Sequence, residues 1–382
     1  MVVTLRQPEV PQATAPESSI LAENQTDSLS TTTPNKDKSS VASSTKKIAT
    51  PTEKIASATA RASGTATVPE ATSPLATSSP LETLTLQPET VATPVDWNSI
   101  NQKTREAIVN IFCTSKTGGL FEPLSGSGVI IDPRGVILTN AHVAQYLLLK
   151  DYGQKDFLTC MARTGSPAVP AYTLKLLYIS PDWVKANYKN ITSEKPTGTG
   201  ENDFALIKII GATNPNASLP TTFPALKIDT NETLIKMGEQ VVLAGYPAGF
   251  LGGIAIQRDL YLVSTIVNIG KLYTFHEDGT LDLFSLGGSP VAQQGASGGA
   301  AVNATGSLLG IIVTSTDAEE TSARDLEAIS IAHINRGFAS TTGKTLDSLP
   351  SLNLTAFSEA FDEQILPGVK KLLYDELNSR SN

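Results

Sequence analysis

Short apolar segments separated by Gly, Pro, Asn and Asp run from residue 107 to residue 314, and they constrain the fold more than any other feature. Each has the length of a β-strand and is bounded by turn-forming residues. The segments are 107–113, 157–162, 174–179, 205–210, 240–244, 259–268 and 308–314. Many short strands with little helix between them predict an all-β fold built from barrels or a sandwich.

The first ninety or so residues have a different composition. Ser, Thr, Pro and Ala dominate there, aromatic residues are almost absent, and the apolar residues have no period. Such a segment cannot bury enough surface to offset the entropy of ordering. We therefore predict a disordered tether over residues 1–94, with an inert low-complexity tail as an equal alternative, followed by a folded domain over residues 95–340.

Helices are predicted only near the two ends of the folded part. Asp96 is placed to cap a short helix from Trp97 to about Glu106. Residues 341–382 form a C-terminal tail in which apolar residues have helical spacing, interrupted at Pro367. We expect one or two short helices there, either docked on a barrel or free for a partner.

The stretch from Gln294 to Gly299 presents Ser297 between glycines. Glycine permits backbone angles that other residues avoid, so a tight turn here exposes the hydroxyl. The same turn aims the backbone N–H groups of Gly295 and Ser297 at one point, which is what stabilising an oxyanion requires. A flexible Gly/Ser hairpin is the alternative interpretation, and the partners of the serine decide between the two.

A serine nucleophile needs a base, usually a histidine oriented by a buried carboxylate. The chain has three histidines. His142 follows a strand, a turn and a second strand; His276 lies in a hairpin turn, and we interpret His333 as an ordinary strand histidine. Asp203 opens an apolar strand and is favoured as the carboxylate over Asp182, which lies in a Pro-rich turn.

Three blocks around these residues resemble the signature blocks of the trypsin/chymotrypsin-like serine proteases. They read Thr-Asn-Ala-His-Val over 139–143, Asn-Asp-Phe-Ala-Leu-Ile over 202–207, and Gly-Ala-Ser-Gly-Gly over 295–299. Their order along the chain is that of the family. The lead-in over residues 127–142 is most similar to the bacterial HtrA-type branch, and the likeness covers about residues 98 to 338.

The resemblance implies two six-stranded antiparallel Greek-key barrels with the site between them. It further implies that Ser297 attacks a peptide carbonyl while His142 takes its proton and Asp203 orients the ring. The N–H groups of Gly295 and Ser297 would hold the oxyanion, and no cofactor is required. HtrA-type proteases usually carry a PDZ domain, but the forty or so residues after Gly337 are too few for one.

Substrate preference follows, in this family, from the residue six before the serine and from the next strand. These positions are Val291, Ile312, Val313, Thr314 and Ser315. Because none of these side chains is acidic, we expect a preference for small or medium apolar residues before the cut.

Ala296 stands where the family usually has Asp or Asn. Activation by a new amino terminus that pairs with this acid is therefore not expected. The loop also lacks a polar side chain that would brace it. Two resting geometries of the loop are therefore consistent with the sequence: an active one, and one that is collapsed until substrate arrives.

The only two cysteines, Cys113 and Cys160, fall on the predicted first and fourth strands of the first barrel. The resemblance makes these strands neighbours, so a disulfide and an oxidising compartment are one alternative. Two buried free thiols are the other. So few His and Cys residues predict no metal site.

Composition bears on partners and location. A net charge of −8 with no basic stripe argues against nucleic acid as a partner. No apolar run is long enough for a membrane span, and residues 1–7 lack the features of a secretory signal. The resemblance implies the cell envelope or the exterior, with the cytoplasm left open, and the oligomeric state is not indicated.

Two functions are consistent with the sequence. The first is a serine endopeptidase that acts on proteins or peptides. The second is a catalytically silent protease-like domain that binds peptides or scaffolds a complex, an alternative that Ala296 keeps open.

Overall fold

A computed structural model describes residues 3–4, 94–116, 123–193, 199–249, 253–277, 279–315 and 325–380. The chain divides into two units, Pro11–Ala92 and Met1–Val10 together with Thr93–Asn382. The tether predicted over residues 1–94 lies almost wholly outside the described residues, so its disorder stays a prediction. The domain boundaries at 94 and 340 also stay predictions.

Six antiparallel strands form a closed first barrel. They are β2 (Ile108–Ser115), β3 (Leu124–Asp132), β4 (Val136–Thr139), β5 (Leu158–Thr164), β6 (Val169–Ile179) and β7 (Ala205–Ala212). The order is β3-β2-β5-β6-β7-β4, and pairing of β3 with β4 closes the ring. Because β2 neighbours β5 and β4 neighbours β7, the connections are those of a Greek key. A short strand β1 (Val3–Thr4) pairs with the start of β3.

The second sheet is an open half-barrel. Its strands are β8 (Lys227–Ile228), β9 (Gln240–Gly245), β10 (Val263–Asn268), β11 (Leu272–Tyr273), β12 (Leu283–Gly287), β13 (Ala300–Val302), β14 (Ser307–Ser315) and β15 (Leu326–Ser330). The order is β10-β9-β13-β14-β15-β12-β11, with β8 parallel to β14. The all-β, trypsin-like class is thus confirmed, although only the first of the two predicted barrels is closed by hydrogen bonds among the described residues.

The described part of the chain also contains helices. They are α1 (Trp97–Ala107), α2 (Ala141–Ala144), α3 (Pro181–Asn187), α4 (Gly253–Arg258), α5 (Ile331–Thr342), α6 (Leu354–Gln364) and α7 (Leu366–Arg380). The predicted cap of α1 is confirmed, since Asp96 accepts a hydrogen bond from the backbone N–H of Ser99 at 3.1 Å. No helix in the described ranges is long and apolar enough to cross a bilayer.

The C-terminal tail docks on the first barrel, which decides between the two predicted arrangements. Pro367 lies in the first turn of α7, where a missing N–H costs nothing, so it separates two helices rather than kinking one. Leu373 and Leu377 of α7 are fully buried. Arg134, in the turn between β3 and β4, donates to the carbonyls of Leu349 and Leu352 just before α6.

Cys113 and Cys160 form a disulfide with an S–S distance of 2.03 Å. They are directly opposite each other on β2 and β5, the first and fourth strands of the barrel. The alternative of two free thiols is therefore wrong for this structure.

Candidate active site

The register of two neighbouring strands brings His142 and Asp203 together. Strand β4 pairs with β7 so that Thr139 lies opposite Ala205. The chain leaving β4 therefore runs beside the chain entering β7, and α2 places His142 three residues beyond Thr139. Asn140 links these two segments, because its side-chain Nδ2 donates to the carbonyl of Asp203 at 2.9 Å.

Both carboxylate oxygens of Asp203 are bonded to His142. Oδ1 accepts from the backbone N–H of His142 at 2.9 Å, and Oδ2 is 2.6 Å from the ring Nδ1. The two side chains are almost fully buried. A carboxylate has no proton to give, so Nδ1 carries the ring proton and the neutral ring presents Nε2 as its acceptor. Nε2 is buried and has no hydrogen-bond partner within the described part of the chain.

Burial sets the protonation state of the ring. Desolvation, which disfavours the imidazolium, is the largest influence and lowers the pKa of His142 below its ordinary value of 6.5, although Asp203 opposes the shift. The ring is therefore neutral at neutral pH. A neutral imidazole with a free Nε2 is the form that can accept a proton from a nucleophile.

Ser297 lies in the loop that leads into β13. Its carbonyl accepts a hydrogen bond of 2.7 Å from the backbone N–H of Ser127 in β3. The carbonyl of Ser127 in turn accepts from the Thr139 hydroxyl at 2.7 Å. The serine is thus tied by two bonds to the end of the strand that precedes His142.

The glycines on either side of Ser297 have left-handed backbone angles, but the predicted exposure of the serine is wrong, because Ser297 is buried. Gly295 has φ +91° and Gly298 has φ +83°, values that L side chains rarely adopt. A Cβ atom at Gly295 would lie 2.7 Å from the Tyr246 carbonyl. The carbonyl of Gln294 accepts from Ala248 at 2.6 Å, so the Gly295 N–H of the same trans peptide points the opposite way.

Comparison with protein families identifies the fold. Residues 126–311 match the family model described as a trypsin-like peptidase domain. The protein contains a trypsin-like peptidase domain. The prediction of a serine-type endopeptidase is thereby confirmed at the level of the family.

Three solved structures are similar to the chain that carries this peptidase domain. Deg5 is 18% identical with a TM-score of 0.41, covering 66% of this chain and 93% of its own. The serine endoprotease from Yersinia pestis is 22% identical with a TM-score of 0.39, covering 68% of each chain. The HtrA-type protease AlgW with decapeptide is 18% identical with a TM-score of 0.41, covering 64% and 67%. The search of curated proteins finds no match.

The residues predicted to form the substrate pocket are buried wherever their side chains are described. Val291 and Ile312 belong to a buried apolar cluster of the half-barrel, and Val313 is equally buried. For Thr314 and Ser315 only the backbone, at the end of β14, is described. The side chains of Val291, Ile312 and Val313 therefore do not reach solvent. Their role in a substrate pocket stays a prediction.

The other candidate residues take other places in the structure. Asp182 is exposed at the start of α3 and pairs with Lys185 at 3.2 Å. His276 is an exposed loop residue, 3.2 Å from Glu201. The interpretation of His333 as a strand residue is wrong, because strand β15 ends at Ser330 and His333 lies in the first turn of α5.

His333 forms a second buried histidine–carboxylate pair. Its Nδ1 is 2.6 Å from Asp282, which also accepts from Arg336 at 2.7 Å. Burial is the main influence that lowers the pKa of His333. Its Nε2 faces the backbone N–H of Asn202 at 3.5 Å rather than a nucleophile, so this pair supports the loop before Asp203.

Two supporting residues were missed at the level of sequence. Asn140 and Ser127 both lie within the predicted blocks, yet their contacts are with residues 63 and 168 positions away. Periodicity carries no information about such contacts. The only local feature they share is that each is a buried polar residue in a strand or directly after one, and this does not identify their partners. Across the described ranges, no group of three or more His, Cys, Asp or Glu residues is arranged to hold a metal ion.

Proposed function

We propose that the protein is a serine endopeptidase in which Ser297 is the nucleophile, His142 the general base and Asp203 the orienting carboxylate. The observation that carries the proposal is that His142 and Asp203 are buried together and joined by two hydrogen bonds. This pair fixes the ring tautomer with Nε2 as acceptor, which is what activation of a serine hydroxyl requires.

The reaction proceeds in two halves. The Ser297 oxygen attacks the substrate carbonyl as its proton passes to Nε2 of His142, and the carbonyl electrons become an oxyanion. The N–H groups of Gly295 and Ser297 stabilise that charge. Collapse of the intermediate breaks the C–N bond, and His142 returns the proton to the leaving amine. A water molecule then attacks the acyl-enzyme by the same route, and no cofactor takes part.

The substrates we propose are proteins or peptides with a small or medium apolar residue before the cut. The support is chemical, since Val291 and Ile312 are apolar and offer nothing to pair with Lys or Arg. The proposed location is the cell envelope or the exterior. The Cys113–Cys160 disulfide supports it, because disulfides persist in oxidising compartments.

Cleavage of an unfolded protein substrate tests this function. The wild-type chain, Ser297→Ala and His142→Ala are incubated with the substrate, and the new amino termini are identified by mass spectrometry. We expect cuts by the wild type alone, mostly after Ala, Val or similar residues. Cuts that persist in Ser297→Ala would contradict the assignment of the nucleophile, and cuts strictly after Lys or Arg would contradict the pocket.

The catalytically silent alternative is decided in the same experiment. Its supporting observation is that both Ser297 and His142 expose only 6% of their surface. Binding of the unfolded substrate by a folded wild-type chain, without any new amino terminus, would favour this alternative over the endopeptidase.

A further inference from the structure

Ser127 joins the first barrel to the loop that carries the nucleophile. It lies in the middle of β3 and is fully buried. Its hydroxyl donates to the Gly295 carbonyl at 2.8 Å and accepts from the backbone N–H of Tyr246 at 2.9 Å. Its own N–H donates to the Ser297 carbonyl at 2.7 Å. One residue of the first barrel therefore contacts the serine loop at two points.

The hydroxyl has only one way to arrange these bonds. A serine hydroxyl carries one proton and two lone pairs. The Tyr246 N–H can only donate, so it uses a lone pair, and the proton is committed to the Gly295 carbonyl. This bond is therefore directional, and Ser127 holds the carbonyl of Gly295 toward β3.

The two contacts fix the peptide planes on either side of the one that carries the Ser297 N–H. In the peptide between Gly295 and Ala296, the Gly295 carbonyl accepts from the Ser127 hydroxyl. The Ala296 N–H of the same peptide donates to the Gln293 carbonyl at 3.2 Å. In the peptide after Ser297, the Ser297 carbonyl accepts from the Ser127 N–H, and the Gly298 N–H donates to the Ile312 carbonyl. Because a peptide unit is planar, fixing both neighbours restrains the direction of the N–H between them.

The side chain of Ala296 cannot perform this bracing. It is apolar and fully buried, in the cluster that also contains Val291 and Ile312. From these contacts we infer that Ser127 is a positioning residue, which holds the 295–297 loop in the geometry that stabilises the oxyanion. The inference rests on the proposed peptidase function and adds to it a brace supplied by the opposite barrel.

The expected effect of Ser127→Ala falls on the chemical step. Removal of one oxyanion donor in a serine protease costs about 10²–10³ in kcat. Ser127 acts through the loop rather than on the substrate, so a smaller loss of about 10- to 100-fold in kcat is expected, with KM changed by less than about threefold. An interaction made only in the transition state has this signature.

Ser125→Ala is the matched control. Ser125 lies two residues earlier on β3, is equally buried, and accepts a hydrogen bond from Asn110 at 2.9 Å. Its replacement removes a buried hydroxyl from the same strand without removing the bond to Gly295. We expect Ser125→Ala to lower thermal stability as Ser127→Ala does, while kcat stays within about twofold of the wild type.

The experiment measures kcat, KM and the inhibition constant of a peptide trifluoromethyl ketone for the wild type and both variants. This ketone forms an oxyanion with the nucleophile, so its affinity reports the loop directly. In Ser127→Ala we expect the affinity to fall by the same factor as kcat. If that variant does not fold, Ser127→Cys, which has the same shape with a somewhat larger atom and is a weak donor, is measured in its place and should show the same loss.

Equal kcat values for the Ser127 and Ser125 variants would overturn the inference, as would an increase in KM with kcat unchanged. A kcat loss without a matching loss of ketone affinity would also overturn it, because the oxyanion would then be unaffected. The wild-type arm reports on the proposed function separately. A folded wild-type chain with no turnover would contradict that function, and this inference would fall with it.

Discussion

Replacement of Asp203 by Asn tests the carboxylate, because the structure decides which way the new amide can point. In the native protein one carboxylate oxygen accepts from the backbone N–H of His142 at 2.9 Å, and the other accepts from its ring at 2.6 Å. An amide offers one oxygen acceptor and one NH₂ donor, so it can satisfy only one of these two donors.

Each orientation of the amide lowers activity for a different reason. If its oxygen stays on the backbone N–H, the NH₂ group faces the ring, the ring proton moves to Nε2, and His142 can no longer accept a proton from Ser297. The reverse orientation keeps the productive tautomer but sets two N–H groups against each other. Leaving a buried donor unpaired costs about 1–3 kcal/mol, which depopulates this orientation by about 5- to 150-fold.

The neutral amide also stabilises the imidazolium less than the carboxylate does. A charge-assisted hydrogen bond contributes about 1.5–3 kcal/mol, a further factor of about 10 to 150. Together the two effects predict a loss of about 10²- to 10⁴-fold in kcat for Asp203→Asn, with little change in KM. The measurement is steady-state hydrolysis of a fluorogenic peptide at mildly alkaline pH.

Asp182→Asn serves as the control. Asp182 is exposed and paired with Lys185, so its replacement should leave kcat within about twofold of the wild type. Retention of more than a fifth of wild-type kcat in Asp203→Asn would refute the reasoning. An equal loss in both variants would also refute it, because the effect would then not come from the ring.

Three further predictions follow from the same geometry. Because burial lowers the pKa of His142 below 6.5 and the base must be neutral, kcat/KM should be level at neutral pH. It should fall on acidification through an apparent pKa below 6.5; a half-maximum above that value would contradict the assignment. Gly298 has a positive φ, and a Cβ atom there would overlap the Ser127 carbonyl oxygen. Gly298→Ala should therefore lower the free energy of unfolding in urea by about 2–5 kcal/mol. The disulfide links positions 47 residues apart, so replacing both cysteines by Ser should lower the free energy of unfolding by about 4 kcal/mol without changing kcat, and an unchanged urea midpoint would contradict this.

The sequence predicts the fold class because strands and turns are locally encoded. The strand over 205–210 begins at Ala205 as expected, since an apolar run after Asn and Asp is a local signal. The closure of the first barrel and the opening of the second depend on which strands pair. Pairing is a tertiary property that no segment specifies alone. The predicted strand over 259–268 is longer than the observed one, since β10 begins only at Val263.

His333 shows how a local signal can be overlooked. Its apolar neighbours suggested continuation of a strand, but Ser330 accepts a hydrogen bond from the His333 N–H and caps a helix. A serine three residues before the histidine is an N-cap signal. The β-branched residues on either side favour a strand, and they hide this signal.

The candidate site was predictable where family motifs specify it and not elsewhere. His142 and Asp203 lie in blocks of characteristic sequence, and the structure brings them together. The contact of Ser127 with Gly295 spans 168 positions and involves a common residue in an ordinary strand, so no local pattern announces it. The family resemblance implies Val291 and Ile312 as pocket residues from their position relative to Ser297, and such a position does not determine whether a side chain reaches solvent.

The central claim is that Ser297 is a nucleophile activated by His142, and covalent labelling measures this most directly. The folded chain is treated with a fluorophosphonate, and its intact mass and tryptic peptides are recorded. One adduct per chain, located on Ser297 and lost in Ser297→Ala and His142→Ala, is the predicted result. A folded chain that gains no adduct, or an adduct on another residue, would contradict the claim.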